Sequence, residues 1–419
     1  MRRLGTSKIC ITPQSPVRLC GFGFRTTKFD TVRRDIYARV FDLRDKEERI
    51  LIIYGDLLWW NTEFVVRMKK VLKEKLDISE KQILFTASHN HSGPGTGSTF
   101  VPLLETVDLE YASFLQEQII CGIREAEENL EEVWIKYAET ECNLNVFRRV
   151  RTSEGIQMMP NYQVKADNTL TVFNFYRKDN TLKGRIIHYP CHANLSKDNE
   201  LHPDYPGYAL EMLEEEETGS ISVFWQGFTA DLRPNCVLGN KFSSGSEEDV
   251  KNFAQYFCDA IYDAKEQEEF LGEGMELLQR EIALPVRQGL SYDEVEKTLF
   301  DEREEKRQWA AKVLEKDYRN YEELKISMLR IGNRICFFFN AEVSMYYAEY
   351  ARMIHPNAVC VGYTDGMIGY ICTAEQIREG GYEPCDSATY FAVAGTYDEV
   401  IEEMIHNVME EMISWKKDA

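Results

Sequence analysis

Seven histidines occur in 419 residues, and two of them, His89 and His91, stand two apart in Ser88-His89-Asn90-His91-Ser92-Gly93-Pro94-Gly95. The apolar run Ile83-Leu84-Phe85-Thr86-Ala87 lies directly before them. That run predicts a buried strand. Residues i and i+2 of a strand face the same way, so both imidazoles are expected to point at one spot. Gly93, Pro94 and Gly95 then break the strand. The carboxyl end of a strand opening into a turn is where α/β folds place ligands. Paired imidazoles there suit a metal or acid–base chemistry, and they also suit a purely structural role.

Four further segments join chemically useful residues to turn formers. In His188-Tyr189-Pro190-Cys191-His192, two histidines stand four apart, but Pro190 disfavours the helix that would pair them. Only one of the two is therefore expected at a site, and His202 follows in a loop. In Phe224-Trp225-Gln226-Gly227-Phe228-Thr229-Ala230-Asp231-Leu232-Arg233, an apolar strand runs into a turn that carries an acid and a base. Asp231 and Arg233 read equally as site residues or as an internal ion pair. Glu342 comes directly after Phe337-Phe338-Phe339, as a helix-capping partner or a ligand. Tyrosines flanked by glycines recur in Gly362-Tyr363, Gly369-Tyr370 and Gly381-Tyr382, as cleft phenols or as loop packing.

The elements that must position these residues are mixed. Ala38–Leu43 and Ile50–Asp56 predict strands joined by a charged turn, and Phe64–Leu76 and Glu110–Glu128 predict amphipathic helices. Val133–Arg151 begins as a strand and ends in the basic knot Arg148-Arg149-Val150-Arg151. Leu170–Tyr176 and Gly184–His188 read as a hairpin turned by Lys178-Asp179-Asn180. Further helices are expected at Tyr208–Glu215, Glu247–Glu266 and Glu399–Trp415, and a strand pair at Lys325–Ile331 and Arg334–Asn340. Residues 265–321 are densely charged and read as a mostly helical, solvated excursion with one strand at Ile282–Val286. The fold class is α/β, with mixed central β-sheets flanked by helices in one domain spanning 1–419.

Composition narrows the partners. The net charge of -21 disfavours nucleic acid and anionic lipid surfaces. No apolar run is long enough to span a bilayer, and Met1–Lys8 lacks the apolar core of a signal peptide. Eleven cysteines without a C-x-x-C pair read as reduced thiols, so a cytoplasmic location is expected. Oligomeric state is not encoded in these features.

Taken in order, the segments resemble a known family. Ser-His-Asn-His-Ser-Gly-Pro-Gly, His192 ahead of Asp204-Tyr205-Pro206-Gly207-Tyr208-Ala209, Ala230-Asp231-Leu232-Arg233-Pro234-Asn235, Ala341-Glu342, and Tyr370 followed by Tyr382-Glu383 together look like the catalytic domain of the neutral/alkaline non-lysosomal ceramidases. The likeness runs from about Ile9 to Tyr397. It implies a zinc-dependent amidase and a small N-acyl or acyl substrate. By position it implies His89, His192, Glu342 and Tyr370 as Zn²⁺ ligands. His91 would act at the reacting carbonyl, Tyr382 would hydrogen-bond the substrate, and Arg148 would be the site arginine. Imidazole and carboxylate ligands suit zinc, with a position left to water. Bound water then has a pKa near about 7 and is a nucleophile at neutral pH. By that resemblance His91, Tyr382 and Arg148 would stabilise the oxyanion or donate to the leaving amine. Asp231 is expected to orient a ligand imidazole.

The sequence also departs from the family pattern. Arg233 replaces a serine, Ala341 a glycine, and Phe147 an asparagine. The chain ends before the family's C-terminal immunoglobulin-like domain could fit. These differences leave room for a substrate other than ceramide, with Arg233 meeting an anionic group or a structural partner. The alternative readings are a zinc esterase or deacylase of small polar conjugates, and a non-catalytic metal-binding member.

Overall fold

A computed structural model describes residues 2–267, 271–316 and 318–415. The first strands are β1 (Arg2–Cys10), β2 (Tyr37–Asp45), β3 (Glu48–Gly55) and β4 (Ile83–Ala87), with α1 (Thr62–Leu76) between β3 and β4. Then follow α2 (Leu109–Glu128), β5 (Glu131–Glu141), β6 (Asn145–Thr152), β7 (Gly155–Asn161), β8 (Thr169–Tyr176) and β9 (Leu182–Tyr189). Helix α3 (Asp204–Glu216), strands β10 (Ile221–Gln226) and β11 (Leu232–Pro234), and α4 (Glu247–Asp263) complete the first part. The rest contains β12 (Met275–Gln288), α5 (Tyr292–Thr298), α6 (Glu304–Glu315), β13 (Tyr321–Ile331) and β14 (Arg334–Phe339). It closes with β15 (Glu342–Val343), α7 (Met345–Ile354), β16 (Ala358–Val361), β17 (Tyr370–Ile371), α8 (Ala374–Glu379) and, near the end, α9 (Ile401–Ser414).

The larger sheet runs β10-β9-β8-β5-β1-β2-β3-β4, with a two-residue strand on β5, and the smaller contains β16-β14-β13-β12. In the larger sheet, β4 pairs with β3 and β10 pairs with β9 in parallel. The period of two decides which face each residue buries. Leu51, Ile53, Ile83 and Phe85 enter one apolar cluster, and Ile50, Ile52, Tyr54 and Leu84 enter the other. The second cluster also takes Leu329, Phe338 and Val359 from the smaller sheet, where Trp225 meets Phe338 edge-on at 5.0 Å. The two sheets therefore share a core. α1 covers the opposite face with Phe64, Val65 and Met68.

The predicted hairpin is present as β8 and β9, in register from Leu182 opposite Tyr176. Val133–Arg151 begins as a strand, as expected, and its basic knot lies on a second strand, β6, after Cys142 to Leu144 interrupt the first. The charged excursion differs most from expectation. Its strand is the 14-residue β12, paired with β13 from Met275 opposite Ile331 to Pro285 opposite Tyr321. Its helices are not purely solvated either, since Val295, Trp309, Ala310 and Val313 are buried in the first cluster. Spaced apolar residues among the charges carry that burial, and the charges occupy the outer side. Residues 268–270 and 317 of this segment lie outside the described residues.

Candidate metal centre

Strand β4 stops at Ala87, so neither histidine of the pair is on it. His89 has φ +60, a left-handed conformation uncommon outside glycine. The Asn90 side chain holds this turn. It donates to the Asp56 carbonyl at 3.1 Å and the His202 carbonyl at 2.8 Å, and it accepts from the Ser92 N–H at 2.8 Å. The imidazoles of His89 and His91 do converge, with ring centroids 4.7 Å apart and Nε2 atoms 3.2 Å apart. A bend brings them together, where strand alternation was expected to.

The remaining donors also follow strand ends. His192 lies after β9, and the N–H of His91 donates to the carbonyl of Ala193 at 3.0 Å, which ties the two loops together. Of the two histidines flanking Pro190, only His192 reaches the site, while His188 Nε2 lies 2.8 Å from the Cys360 carbonyl. His202 accepts from the Asp204 N–H at 3.1 Å and stays in its loop. Glu342 follows β14. Its Oε1 stands 3.4 Å from His89 Nε2 and 3.2 Å from His192 Nε2, and all three side chains are buried.

This donor set fits a divalent cation. Glu342 Oε1 is buried and accepts no hydrogen bond. His89 Nδ1 faces the Leu58 carbonyl at 3.2 Å, so its proton belongs on Nδ1 and its Nε2 lone pair faces the cluster. Ligand nitrogens of His89, His91 and His192 all lie within 4.8 Å of one another. Burial opposes a charge on Glu342, but His89 and His192 beside it hold the carboxyl well below the usual range. His91 is the most exposed of the three histidines, as suits a group facing a substrate.

A ring of phenols and arginines surrounds the cluster. Glu342 stands opposite Tyr370 in the parallel pairing of β15 with β17. Arg148 Nη2 donates to the Tyr370 hydroxyl at 3.3 Å, and Arg148 Nε donates to Glu383 at 2.8 Å. Tyr382 packs edge-on to Tyr370 at 5.6 Å. Burial and then the Glu342 carboxylate raise the pKa of both Tyr370 and Tyr382. Two neighbours were not among the predicted site residues. Tyr363 stacks on His89 at 4.0 Å, with its hydroxyl 2.7 Å from Thr229 Oγ1. Arg25 donates to the His91 carbonyl at 2.5 Å and covers Phe22, whose ring lies 4.8 Å from His91. The glycine beside Tyr363 was visible in the sequence. Nothing local marks Arg25.

A sequence model described as neutral/alkaline non-lysosomal ceramidase, N-terminal, matches residues 3–274, more than half of the chain. This chain belongs to that family. The neutral ceramidase of Pseudomonas aeruginosa is 25% identical over 292 residues, which cover 65% of this chain and 43% of that protein. The match thus spans less than half the length of that relative. The crystal structure of neutral ceramidase from Pseudomonas aeruginosa superposes with a TM-score of 0.78 at 16% identity, covering 100% of this chain and 76% of that one. A structure titled ceramidase complexed with C2 gives 0.77 at 16% identity, with the same coverages. The mixed α/β fold is thus the ceramidase fold. Glu342, Tyr370 and Tyr382 lie beyond the residues that the family model matches; the fold brings Glu342 to His89 and His192, and Tyr370 and Tyr382 lie beside it in turn.

Asp231 does not orient an imidazole. It accepts from Ser344 Oγ at 2.5 Å, the Met345 N–H at 3.0 Å and Gln376 Nε2 at 2.8 Å, so it caps α7 and anchors α8. Its place in the turn before β11 points it at the start of α7 rather than at the histidines. Arg233, on β11, has no salt-bridge partner among the described residues; its guanidinium lies over Phe242 at 4.7 Å. The internal Asp–Arg pair is therefore excluded. A cleft of about 510 Å³ lined by Arg149, Arg151, Tyr346, Gln376 and Glu379 includes none of the metal-cluster residues.

Proposed function

We propose that this chain is a zinc-dependent amidohydrolase that cleaves a linear N-acyl amide bond, as the family resemblance implies. The observation that carries this reading is the unpartnered Glu342 oxygen, buried between the Nε2 atoms of His89 and His192. His89, His192, Glu342 and Tyr370 are the residues that would hold the metal. Bound there, zinc supplies Lewis acidity and a water acidic enough to attack at neutral pH.

The chain's own residues supply the rest. His91 sits beside the cluster and is the group to take a proton from the attacking water and pass it to the leaving amine. Arg148, kept in place by Glu383, directs charge toward the Tyr370 hydroxyl and the developing oxyanion. Tyr382 keeps its proton and can donate to the substrate. Buried aromatic residues around His89 exclude water, which strengthens each of these interactions.

The test is metal analysis of the purified protein, joined to a panel of N-acyl and O-acyl substrates. The reading expects about one zinc per chain and turnover of amides, both lost in His89→Ala. An active protein without metal would refute it. A metal-loaded protein that turns over only esters would replace the amidase with a deacylase.

A further inference from the structure

Arg233 is the residue that the site's chemistry leaves unexplained. The chain carries 21 more acidic than basic residues, yet this arginine forms no salt bridge among the described residues. Its Nε is buried with no hydrogen-bond acceptor, and one Nη makes only a 3.9 Å approach to the Met158 sulfur. The other contact is the Phe242 ring. A buried guanidinium nitrogen without an acceptor is costly unless a ligand supplies one.

Its position is tied to the catalytic arginine. Arg233 stands opposite Val146 in the antiparallel pairing of β11 with β6. Arg148, two residues along, is therefore its diagonal neighbour on the same face of the ribbon. The Arg148 N–H also donates to the Asp231 carbonyl at 2.8 Å, which fixes that register. Burial and then Arg148 lower the Arg233 pKa to about 10. Glu383 neutralises Arg148. Arg233 keeps its buried Nε without an acceptor, as Arg25 beside His91 keeps its Nε and Nη2.

We infer that Arg233 is a specificity residue that binds a carboxylate on the substrate, so that the preferred substrate is an N-acyl compound with an acidic head, such as an N-acyl amino acid. A single planar guanidinium matches one carboxylate through two parallel hydrogen bonds. This inference rests on the amidohydrolase reading and assigns its substrate class.

The experiment compares the zinc-loaded full chain with Arg233→Gln and Arg233→Lys. The probes are N-dodecanoylglycine and its neutral counterpart N-dodecanoylethanolamine. The ratio of kcat/KM for the acid over the neutral amide should exceed one in the parent. It should fall by about tenfold or more in Arg233→Gln, mainly through KM, and recover in part in Arg233→Lys. Turnover of the neutral amide also shows whether each variant is folded. A parent that prefers the neutral amide, or a ratio that Arg233→Gln does not move, overturns the inference and leaves the amidase standing. Hydrolysis of neither probe overturns both.

Discussion

Glu342 and Tyr370 stand opposite one another in a two-residue parallel pairing, so the carboxylate that faces His89 and His192 and the phenol are carried by one paired unit. The Glu342 N–H donates to the Gly369 carbonyl at 2.9 Å, and the Ser344 N–H to the Ile371 carbonyl at 3.0 Å, which locks that register. Glu342→Ala should therefore lower zinc content from about one per chain to a small fraction, measured by elemental analysis after dialysis. Tyr370→Phe should keep more metal than Glu342→Ala does. Equal loss in both would give the phenol the same weight as the carboxylate.

His91 tests how the paired histidines divide their roles. His91→Ala should retain zinc while kcat falls by about 10²–10⁴-fold. Elemental analysis beside steady-state kinetics separates the two effects. If the zinc is lost as well, His91 is a ligand.

Gly21 supports His91 from outside. It has φ +90, and a Cβ built there would lie 2.5 Å from His91 Nδ1. Gly21→Ala should displace the imidazole and lower kcat, with metal content held. A variant with parental kcat would show that the ring tolerates the shift.

Asp231 should matter for stability rather than for metal. Replacing it by Asn sets an amide N–H against the Met345 N–H, or against the Ser344 and Gln376 donors, where a carboxylate oxygen now accepts. Asp231→Asn should cost about 1–3 kcal/mol and lower the melting temperature, with zinc still bound. Loss of zinc at an unchanged melting temperature would restore the imidazole-orienting role.

Glu105 predicts a dependence of stability on pH. Burial pushes its carboxyl from 4.5 up to about 7, although Asn61 Nδ2 donates to it at 2.9 Å. Between those two values the folded chain holds a proton that the unfolded chain has lost. Stability from this group is thus present at low pH and falls as pH rises toward 7, by up to roughly 3 kcal/mol. Melting curves from pH 5 to 8 should show a shallower fall in Glu105→Gln than in the parent.

Much of this was legible in the residues. Apolar runs located β3, β4, β8 and β9, because a strand with two buried faces needs apolar residues at successive positions. Pro190 between His188 and His192 said that one histidine would leave the site, since proline bars the helix that would align them. The charged segment misled because charge density hides a few spaced apolar residues, and Trp309 and Val313 are enough to fasten it to the core.

The sequence by itself determined the types and the order of the candidate donors that the family resemblance singled out, His89, His192, Glu342 and Tyr370. Tertiary structure decided where they point. The left-handed backbone at His89, the capture of Asp231 by α7 and α8, the stacking of Tyr363 and the seat of Arg233 against Met158 all depend on partners remote in the chain. Local propensity acts over a few residues, whereas the direction of a buried polar side chain is set by whichever distant group satisfies it.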